Sequence, residues 1–267
     1  MKRTSFKYFI SIAVILLAFA SCKKVIQLDL GNVSGELVIE ANLTNVYGPQ
    51  YVKLSRNVPF TSTNTYPTVT GAVVTISDSL GHQYQFIEGP AGTYSINNVN
   101  GVSGTTYYLS VTTGGKTYTA KSTMPQKVAM DSITSKDSFF DTGKGQRVIT
   151  VYFKDPPNVP NQYRFVMYVN GVQVKTVFSF SDEFIDGKNV NLDLQENDIN
   201  VYAKDTVRVE MQCIDKPMFT YWFTQAQQQA DNPGGQVAPA NPPTNITPTT
   251  LGYFSAHTTQ SITLVVK

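Results

Sequence analysis

The chain has few of the residues on which disulfide-stabilised and nucleic-acid-binding proteins depend. Its 267 residues include two cysteines, two histidines and one tryptophan. Two cysteines cannot build a disulfide framework. Lysine and arginine form no cluster on which a nucleic-acid footprint could rest, so nucleic acid is not an expected partner.

Long apolar runs are also missing, apart from one near the N-terminus. Residues 8–20 form a 13-residue apolar stretch that follows a short basic start and is too short to span a bilayer. Small residues then lead directly into Cys22. We interpret 1–21 as a signal peptide and Cys22 as a lipidated first residue, which would attach the protein to a membrane. An ordinary secretory signal with a chance cysteine after it is the alternative.

Signal removal changes the charge and the cysteine count. It takes away three of the 21 lysines and arginines, leaving 18 against 19 aspartates and glutamates, so the mature chain is nearly neutral. Lipidation of Cys22 leaves Cys213 without a disulfide partner. Because Cys213 alternates with polar residues on a strand-like run, we predict a buried, unreactive thiol.

The mature chain predicts an all-β fold of two β-sandwich domains. A tether at 22–34 precedes short runs that alternate with period two and are separated by glycine, proline and asparagine. The first domain, 35–124, resembles transthyretin-like and Ig-like sandwiches. Met124-Pro125 marks the boundary with the second, 125–267. The strands predicted in the first domain are 36–42, 50–56, 71–77, 82–88, 92–96, 105–113 and 116–123.

The second half combines strands with one helix and a proline-rich strap. Asn170-Gly171 predicts a two-residue hairpin. A helix is expected near 216–230, with an apolar stripe of Phe219, Trp222, Phe223 and Ala226 that caps a sheet. The strap at 231–250 has five prolines and two glycines, and is either mobile or pinned across the surface. The strands predicted here are 128–135, 146–154, 162–169, 172–180 and 206–214.

Residues able to carry chemistry are sparse. His82 lies in a predicted turn, and His257 lies in the other half without a nucleophile motif beside it, so a catalytic triad has little support. Asp182, Glu183 and Asp186 are weak candidates for a cation site. Their spacing does not match an EF-hand, and an Asp-Gly reverse turn is the preferred interpretation. We expect no bound metal and no cofactor.

A second set of carboxylates lies nearby in the sequence. Asp193, Glu196 and Asp198 could supply the pair that glycosidic hydrolysis requires, although sequence alone does not give their separation. Glycan chemistry is therefore permitted rather than indicated. The 15 tyrosines and 15 phenylalanines fall mostly on alternating strand faces, where packing explains them first.

Several segments together resemble one family, the Bacteroidota outer-membrane lipoproteins grouped as domain of unknown function 4249. This resemblance implies an exported, lipid-anchored all-β protein, often encoded beside TonB-dependent receptors, and implies no known chemistry. The segments that carry it are CKKVIQLDL at 22–30, LVIEANLTN at 37–45, GAVVTISD at 71–78, FSDEFIDGK at 180–188 and NPPTNITPTTLGYFSA at 241–256.

The expected function follows from the anchor, the sandwich pattern and this resemblance. We expect a non-enzymatic accessory protein of the outer membrane that serves as a binding or interaction module for TonB-dependent uptake. Tyr253 and Phe254, at the end of the strap, are predicted to face a partner. A carbohydrate-binding or glycan-acting lipoprotein is the alternative. Lys23-Lys24 replaces the acidic residues common after surface lipidation sites, so a periplasmic or a surface face stays open.

Overall fold

The computed structural model describes residues 34–59, 62–63, 65–139, 145–196, 198–229 and 240–267. The predicted signal peptide, the lipidation site Cys22 and nearly all of the tether lie outside this range. Ser34–Lys267 form one compact unit. No helix among the described residues has the length and apolarity needed to cross a membrane.

The prediction of an all-β sandwich fold is confirmed. Strands in the first half lie within a few residues of their predicted positions, because the alternation of apolar and polar side chains is regular there. The strands of this half are β1 (Leu37–Thr44), β2 (Gly48–Arg56), β3 (Val73–Asp78), β4 (Gln83–Glu88), β5 (Thr93–Val99), β6 (Thr106–Thr113) and β7 (Lys116–Thr123).

The second half contributes shorter strands and one helix, α1 (Lys216–Gln229). The predicted strand at 172–180 is interrupted, and no strand was predicted at the positions of β13 and the two-residue β15. The strands of this half are β8 (Met130–Asp137), β9 (Arg147–Lys154), β10 (Gln162–Val169), β11 (Val172–Gln173), β12 (Phe178–Ser181), β13 (Asn189–Leu194), β14 (Thr206–Ile214), β15 (Ile246–Thr247) and β16 (Leu251–Val265).

One long sheet runs through both halves. Its strand order is β11-β10-β14-β16-β1-β2-β5-β4-β3-β6-β7-β15, with β12 also paired to β10. Strands from separate parts of this order, β1 and β2 on one side and β3 and β6 on the other, bury their apolar faces in a common core. The sheet therefore folds over on itself as a sandwich. A second core lies between β10 and β14 and the three-stranded sheet β13-β9-β8.

The strand β16 belongs to both sandwiches. Its first half pairs in parallel with β1, and its second half pairs antiparallel with β14. Phe254 and Ala256 are buried in the first core, whereas Ile262 and Leu264 pack against the second. The predicted boundary at Met124-Pro125 falls between the two cores in sequence, but the C-terminal strand contributes to both. The stretch 125–267 is consequently not confined to the second core.

The helix α1 forms where it was predicted, with a different buried face. Asp215 caps its start, because Oδ1 of Asp215 accepts a hydrogen bond from the Met218 amide at 3.2 Å. Met218 and Trp222 are the buried residues, while Phe223 is exposed. Of the predicted stripe, Trp222 is buried and Phe219 packs against the same cluster, whereas Phe223 is exposed and Met218 is buried instead. The helix lies against β10, β12 and β16 rather than over the end of a sheet.

The described part of the strap is pinned to the first sandwich. β15 pairs with β7, and the Ile246 side chain is buried in the first core. The hydroxyl of Thr250 donates to the Leu37 carbonyl at 2.5 Å. Of the two interpretations of the strap, the pinned one is confirmed for 245–250, and 231–239 lie outside the described residues.

Candidate functional site

A groove lies on the outer face of the first sandwich, beside the strap. It has a volume of about 430 Å³. Two rows of side chains cross β3, β6 and β7 to form it. The first row is Ser77, Tyr108 and Lys121, and the second is Thr75, Ser110, Thr119 and Thr247.

The groove is rich in hydroxyl groups that have no protein partner. The side chains of Thr75, Ser77 and Ser110 make no hydrogen bond to another described residue. Each hydroxyl can donate one hydrogen bond and accept others. The Tyr108 ring is 46% exposed between them. This combination of a flat apolar surface with free donors and acceptors is typical of a site for a polar organic ligand.

The strap gives this groove a fixed wall. Asn245 donates from Nδ2 to the Lys121 carbonyl at 3.1 Å, and Thr119 donates to the Thr247 carbonyl at 3.4 Å. The Thr247-Pro248 peptide bond is cis. Because hydrogen-bonded strands form both sides of the groove, the groove has its shape before a ligand binds. Such preorganisation lowers the entropic cost of binding.

Two other depressions lie beside strands of the first half. One, of about 480 Å³, lies on the outer face of β1 and β2 beside Tyr51 and Lys53, and the other surrounds Arg56 and Lys116 near the start of β1. In the first, Lys53 stands opposite Glu40 on the neighbouring strand.

The residues predicted to face a partner are in the interior. Tyr253 is 8% exposed and Phe254 is fully buried. Phe254 points into the first core, and Tyr253 packs under α1 against Tyr221 and Trp222, with ring centroids 5.1 Å away in each case. The prediction that these two side chains face a partner is therefore wrong. They lie on the half of β16 that pairs with β1, and Asn245 bonds the other edge of this half at Phe254.

The acidic loop is a turn with a different set of carboxylates from the predicted one. A 3-10 turn spans Asp182–Phe184. Asp182 and Asp186 approach the buried Asp155, with carboxylate oxygens of all three within 4.8 Å of one another, whereas Glu183 is exposed and outside the cluster. Three carboxylates could in principle hold a hard divalent cation.

Each of these carboxylates already accepts hydrogen bonds within the protein. The amides of Asn161, Asn158 and Gly187 donate to Asp182, Asp186 and Asp155, at 2.6, 2.8 and 3.1 Å respectively. The Tyr163 hydroxyl also donates to Asp155. These bonds close the 155–163 and 182–188 loops against each other. The preferred interpretation of the acidic segment as a turn agrees with this arrangement.

The two histidines lie in unlike surroundings. His82 is in a turn, where its Nδ1 is 2.8 Å from Oδ2 of Asp78 and its side chain is 63% exposed. Burial acts to raise the pKa of Asp78, but hydrogen bonds from His82 outweigh it, so that pKa is lowered. His257 is buried in β16, with Nδ1 2.9 Å from the Ser255 hydroxyl. Burial lowers the pKa of His257 to about 4, so the ring is neutral.

The carboxylates considered for glycan chemistry are bound to other groups. Asp193 contacts Lys136 Nζ at 2.6 Å and accepts from the Thr150 hydroxyl at 2.7 Å. Glu196 is buried, which raises its pKa, and it accepts from the Asp198 and Ile199 amides. These contacts hold the loop after β13.

Sequence reasoning missed a polar cluster beneath α1. The guanidinium of Arg164 lies 3.6 Å from the centre of the Trp222 ring and donates to Gln212 Oε1 at 3.0 Å. Burial lowers the pKa of Arg164, although a guanidinium stays charged. Gln212 in turn donates to Glu210 at 2.7 Å. No local sequence pattern predicts this cluster, because its residues come from β10, β14 and α1.

Comparisons with known proteins bear on the family and the fold. The family model described as "Domain of unknown function (DUF4249)" matches residues 23–263. This chain belongs to that family. The resemblance found in the sequence is thus confirmed at the level of the family. A search of curated proteins gives no match.

Among solved structures, 36 chains match. One is a two fibronectin type-III domain segment from chicken tenascin, which is 14% identical and has a TM-score of 0.22. The match covers 67% of this chain and 90% of the tenascin segment.

Proposed function

We propose that this family member is a lipid-anchored accessory protein of the outer membrane that serves as a binding module for TonB-dependent nutrient uptake and has no catalytic activity. The observation that carries the binding role is the preformed groove at Tyr108, walled by the strap. The anchor is supported by Cys22 and the signal-like segment before it. The uptake partner is supported by the family resemblance.

The anchor and the partner can be tested together. The full-length chain, tagged at its C-terminus, is extracted from outer membranes in mild detergent, and co-purifying proteins are identified. We expect Cys22→Ser to leave the membrane fraction and the unmodified chain to bring down a TonB-dependent receptor. Membrane association unchanged by Cys22→Ser would contradict the anchor. Recovery of the anchored chain without any receptor would contradict the uptake role.

Carbohydrate binding is the second candidate function, and the chemistry of the groove favours it. A tyrosine ring can pack against the C–H face of a sugar while the neighbouring hydroxyls of Ser77 and Ser110 exchange hydrogen bonds with its hydroxyls. Lys121, which forms no ion pair with a described residue, adds a donor at the groove's edge. A saccharide has both an apolar C–H face and hydroxyl groups, so it can make both kinds of contact at once.

Calorimetric titration of the soluble Cys22→Ser mature chain with oligosaccharides tests this second function. We expect at least one oligosaccharide to bind, and Tyr108→Ala to weaken it about tenfold, equivalent to ~1.4 kcal/mol. Tyr66→Ala removes an equally exposed ring elsewhere in the first half and serves as the matched control. Equal losses from the two variants would place the sugar outside the groove.

A further inference from the structure

The charge of Arg164 has no carboxylate partner at ion-pair distance among the described residues. It lies on the face of β10 that points away from the second core. Gln212 of β14 is its cross-strand neighbour on one side, and Ser179 of β12 is its neighbour on the other. The Trp222 ring of α1 covers the guanidinium. The proposed groove lies in the other half of the chain, so this cluster is independent of it.

Most of the guanidinium's hydrogen-bonding capacity is unused. A guanidinium has five N–H donors, and Arg164 gives one hydrogen bond to the described residues, from Nη1 to Gln212. No carboxylate of a described residue lies within ion-pair distance of it. Glu210, the acidic residue of this cluster, accepts from Gln212 Nε2 and from the Thr259 hydroxyl instead. The remaining N–H groups of Arg164 are not among the buried atoms without a partner, so they are open to an acceptor from outside the protein.

Ser179 is a second unpartnered polar group at the same place. Its hydroxyl is buried, with the residue 8% exposed, and it has no hydrogen-bond partner among the described residues. Directly paired residues on neighbouring strands point to the same face of a sheet, so Ser179 and Arg164 share the face beneath α1. A buried hydroxyl left without a hydrogen-bond partner destabilises the folded protein.

The helix is held over this face by bonds of its own. Gln229 accepts from the Val177 amide at 3.0 Å and donates to the Lys175 carbonyl at 3.1 Å, which ties the end of α1 to the chain just before β12. The position of α1 over Arg164 and Ser179 is therefore fixed by hydrogen bonds in which neither residue takes part. The unused donors of Arg164 and Ser179 are therefore not needed to hold the helix against the sheet.

We propose that Arg164 and Ser179 bind the carboxylate of a small organic acid, with Trp222 as the apolar wall of the site. Nη1 is occupied by Gln212, which leaves the edge formed by Nε and Nη2 for a bidentate contact. That edge matches the two oxygens of a carboxylate. The Ser179 hydroxyl supplies a third donor.

The charge of the site favours a monoanion. Arg208, the other arginine on this face, stacks on Tyr168 at 3.8 Å and lies 3.7 Å from Glu210, so its charge is already compensated. A single cation without a carboxylate at ion-pair distance among the described residues suits a single carboxylate better than a phosphate dianion. The Trp222 ring suits a ligand whose remainder is apolar or aromatic.

Trp222 also reports on the site, because it is the chain's single tryptophan. The soluble Cys22→Ser mature chain is titrated at neutral pH with sodium acetate and sodium benzoate up to about 50 mM, a range that captures millimolar dissociation constants. Sodium chloride at matched ionic strength is the control. We expect a saturable change in tryptophan fluorescence with the carboxylates, tighter binding of benzoate, and a higher melting temperature in their presence.

Variants distinguish carboxylate binding at Arg164 and Ser179 from a general effect of salt. Arg164→Lys keeps the charge but loses the planar fork and should weaken binding about tenfold, and Ser179→Ala should weaken it about threefold. Arg208→Lys is the matched control and should bind as the parent does. A response equal to that of chloride, a response that does not saturate, or binding unchanged in Ser179→Ala would each overturn the proposal. Ser179→Ala decides the matter if Arg164→Lys fails to fold.

Discussion

Asn245 binds the backbone of Phe254 as a neighbouring strand residue would. Its Oδ1 accepts from the Phe254 amide at 3.0 Å, and its Nδ2 donates to the Phe254 carbonyl at 2.8 Å. The same Nδ2 donates to the Lys121 carbonyl on β7. One side-chain amide thus joins the strap, the edge of the first sandwich and the strand shared by both cores.

Loss of this amide should loosen the strap. We expect Asn245→Ala to lower the free energy of unfolding by about 2 kcal/mol, since three hydrogen bonds to backbone groups disappear. Urea unfolding of the Cys22→Ser mature chain measures the change. Asn241→Ala, an exposed asparagine in the same segment, is the control and should change stability by less than about 0.5 kcal/mol. Equal effects would mean that the bonds of Asn245 contribute nothing to stability.

Gly252 permits the parallel pairing of β1 and β16. Its φ is +95°, and a Cβ at this position would lie 2.0 Å from the Ile39 carbonyl oxygen. We expect Gly252→Ala to destabilise the protein by at least about 3 kcal/mol, because the two strands would have to separate. Gly81 has the same φ with no atom within 4 Å of the added carbon. Gly81→Ala should therefore cost only about 1 kcal/mol, the backbone strain alone.

A comparable loss in the two glycine variants would show that the backbone conformation, and not the close approach of Ile39, makes Gly252 necessary. Thermal melting of both variants under identical conditions distinguishes these causes. The comparison is direct, because both glycines adopt the same backbone angle and only one has a neighbour in contact.

Local sequence patterns predicted most of the strands but not the pairing of strands that are distant in sequence. The alternation in β6 and β7 and the Asn170-Gly171 turn are local properties, and the hairpin between β10 and β11 forms as predicted, with positive φ at both turn residues. β13 was missed although its sequence, NVNLDL, alternates polar and apolar residues, because its polar positions are asparagine and aspartate, which are depleted in strands. The pairing of β16 with β1 joins residues more than 200 positions apart, which no period can reveal.

The same limit explains the errors at the candidate sites. Tyr253 and Phe254 follow a proline-rich strap and were predicted to face a partner, but Phe254 points into the first core and Tyr253 packs against α1, and both contacts involve residues distant in sequence. Asp155 lies far from the acidic segment and was not associated with it. The groove at Tyr108 forms because the strap pairs with β7. The alternation that predicts outward-facing residues on β6 does not predict that the strap makes this surface concave.

Cys213 should be an unreactive thiol in the folded protein. Burial raises its pKa, and its Sγ accepts a hydrogen bond from the Val128 amide at 3.4 Å. In the Cys22→Ser mature chain it is the remaining thiol, so a chromogenic disulfide reagent reports on it alone. We expect reaction in native buffer at least about a hundredfold slower than in denaturant, because it requires opening of the second core. Equal rates would contradict the burial of Cys213.

His257 should make the fold sensitive to acid. Its pKa is lowered by burial to about 4, against 6.5 for an unperturbed histidine, so between these values the unfolded chain binds a proton that the folded chain does not. The stability present above pH 6.5 is therefore lost progressively as the pH falls toward 4. The full difference corresponds to roughly 3 kcal/mol.

Urea unfolding at several pH values measures this loss, and a variant assigns it. His257→Gln has no titrating ring, so its stability should depend less on pH between 4 and 6.5 than that of the parent chain. His82→Gln removes the exposed histidine, keeps the buried one and should retain the parent's slope. If His257→Gln keeps the full slope, the acid sensitivity arises from other groups, and the neutral buried imidazole is not its cause.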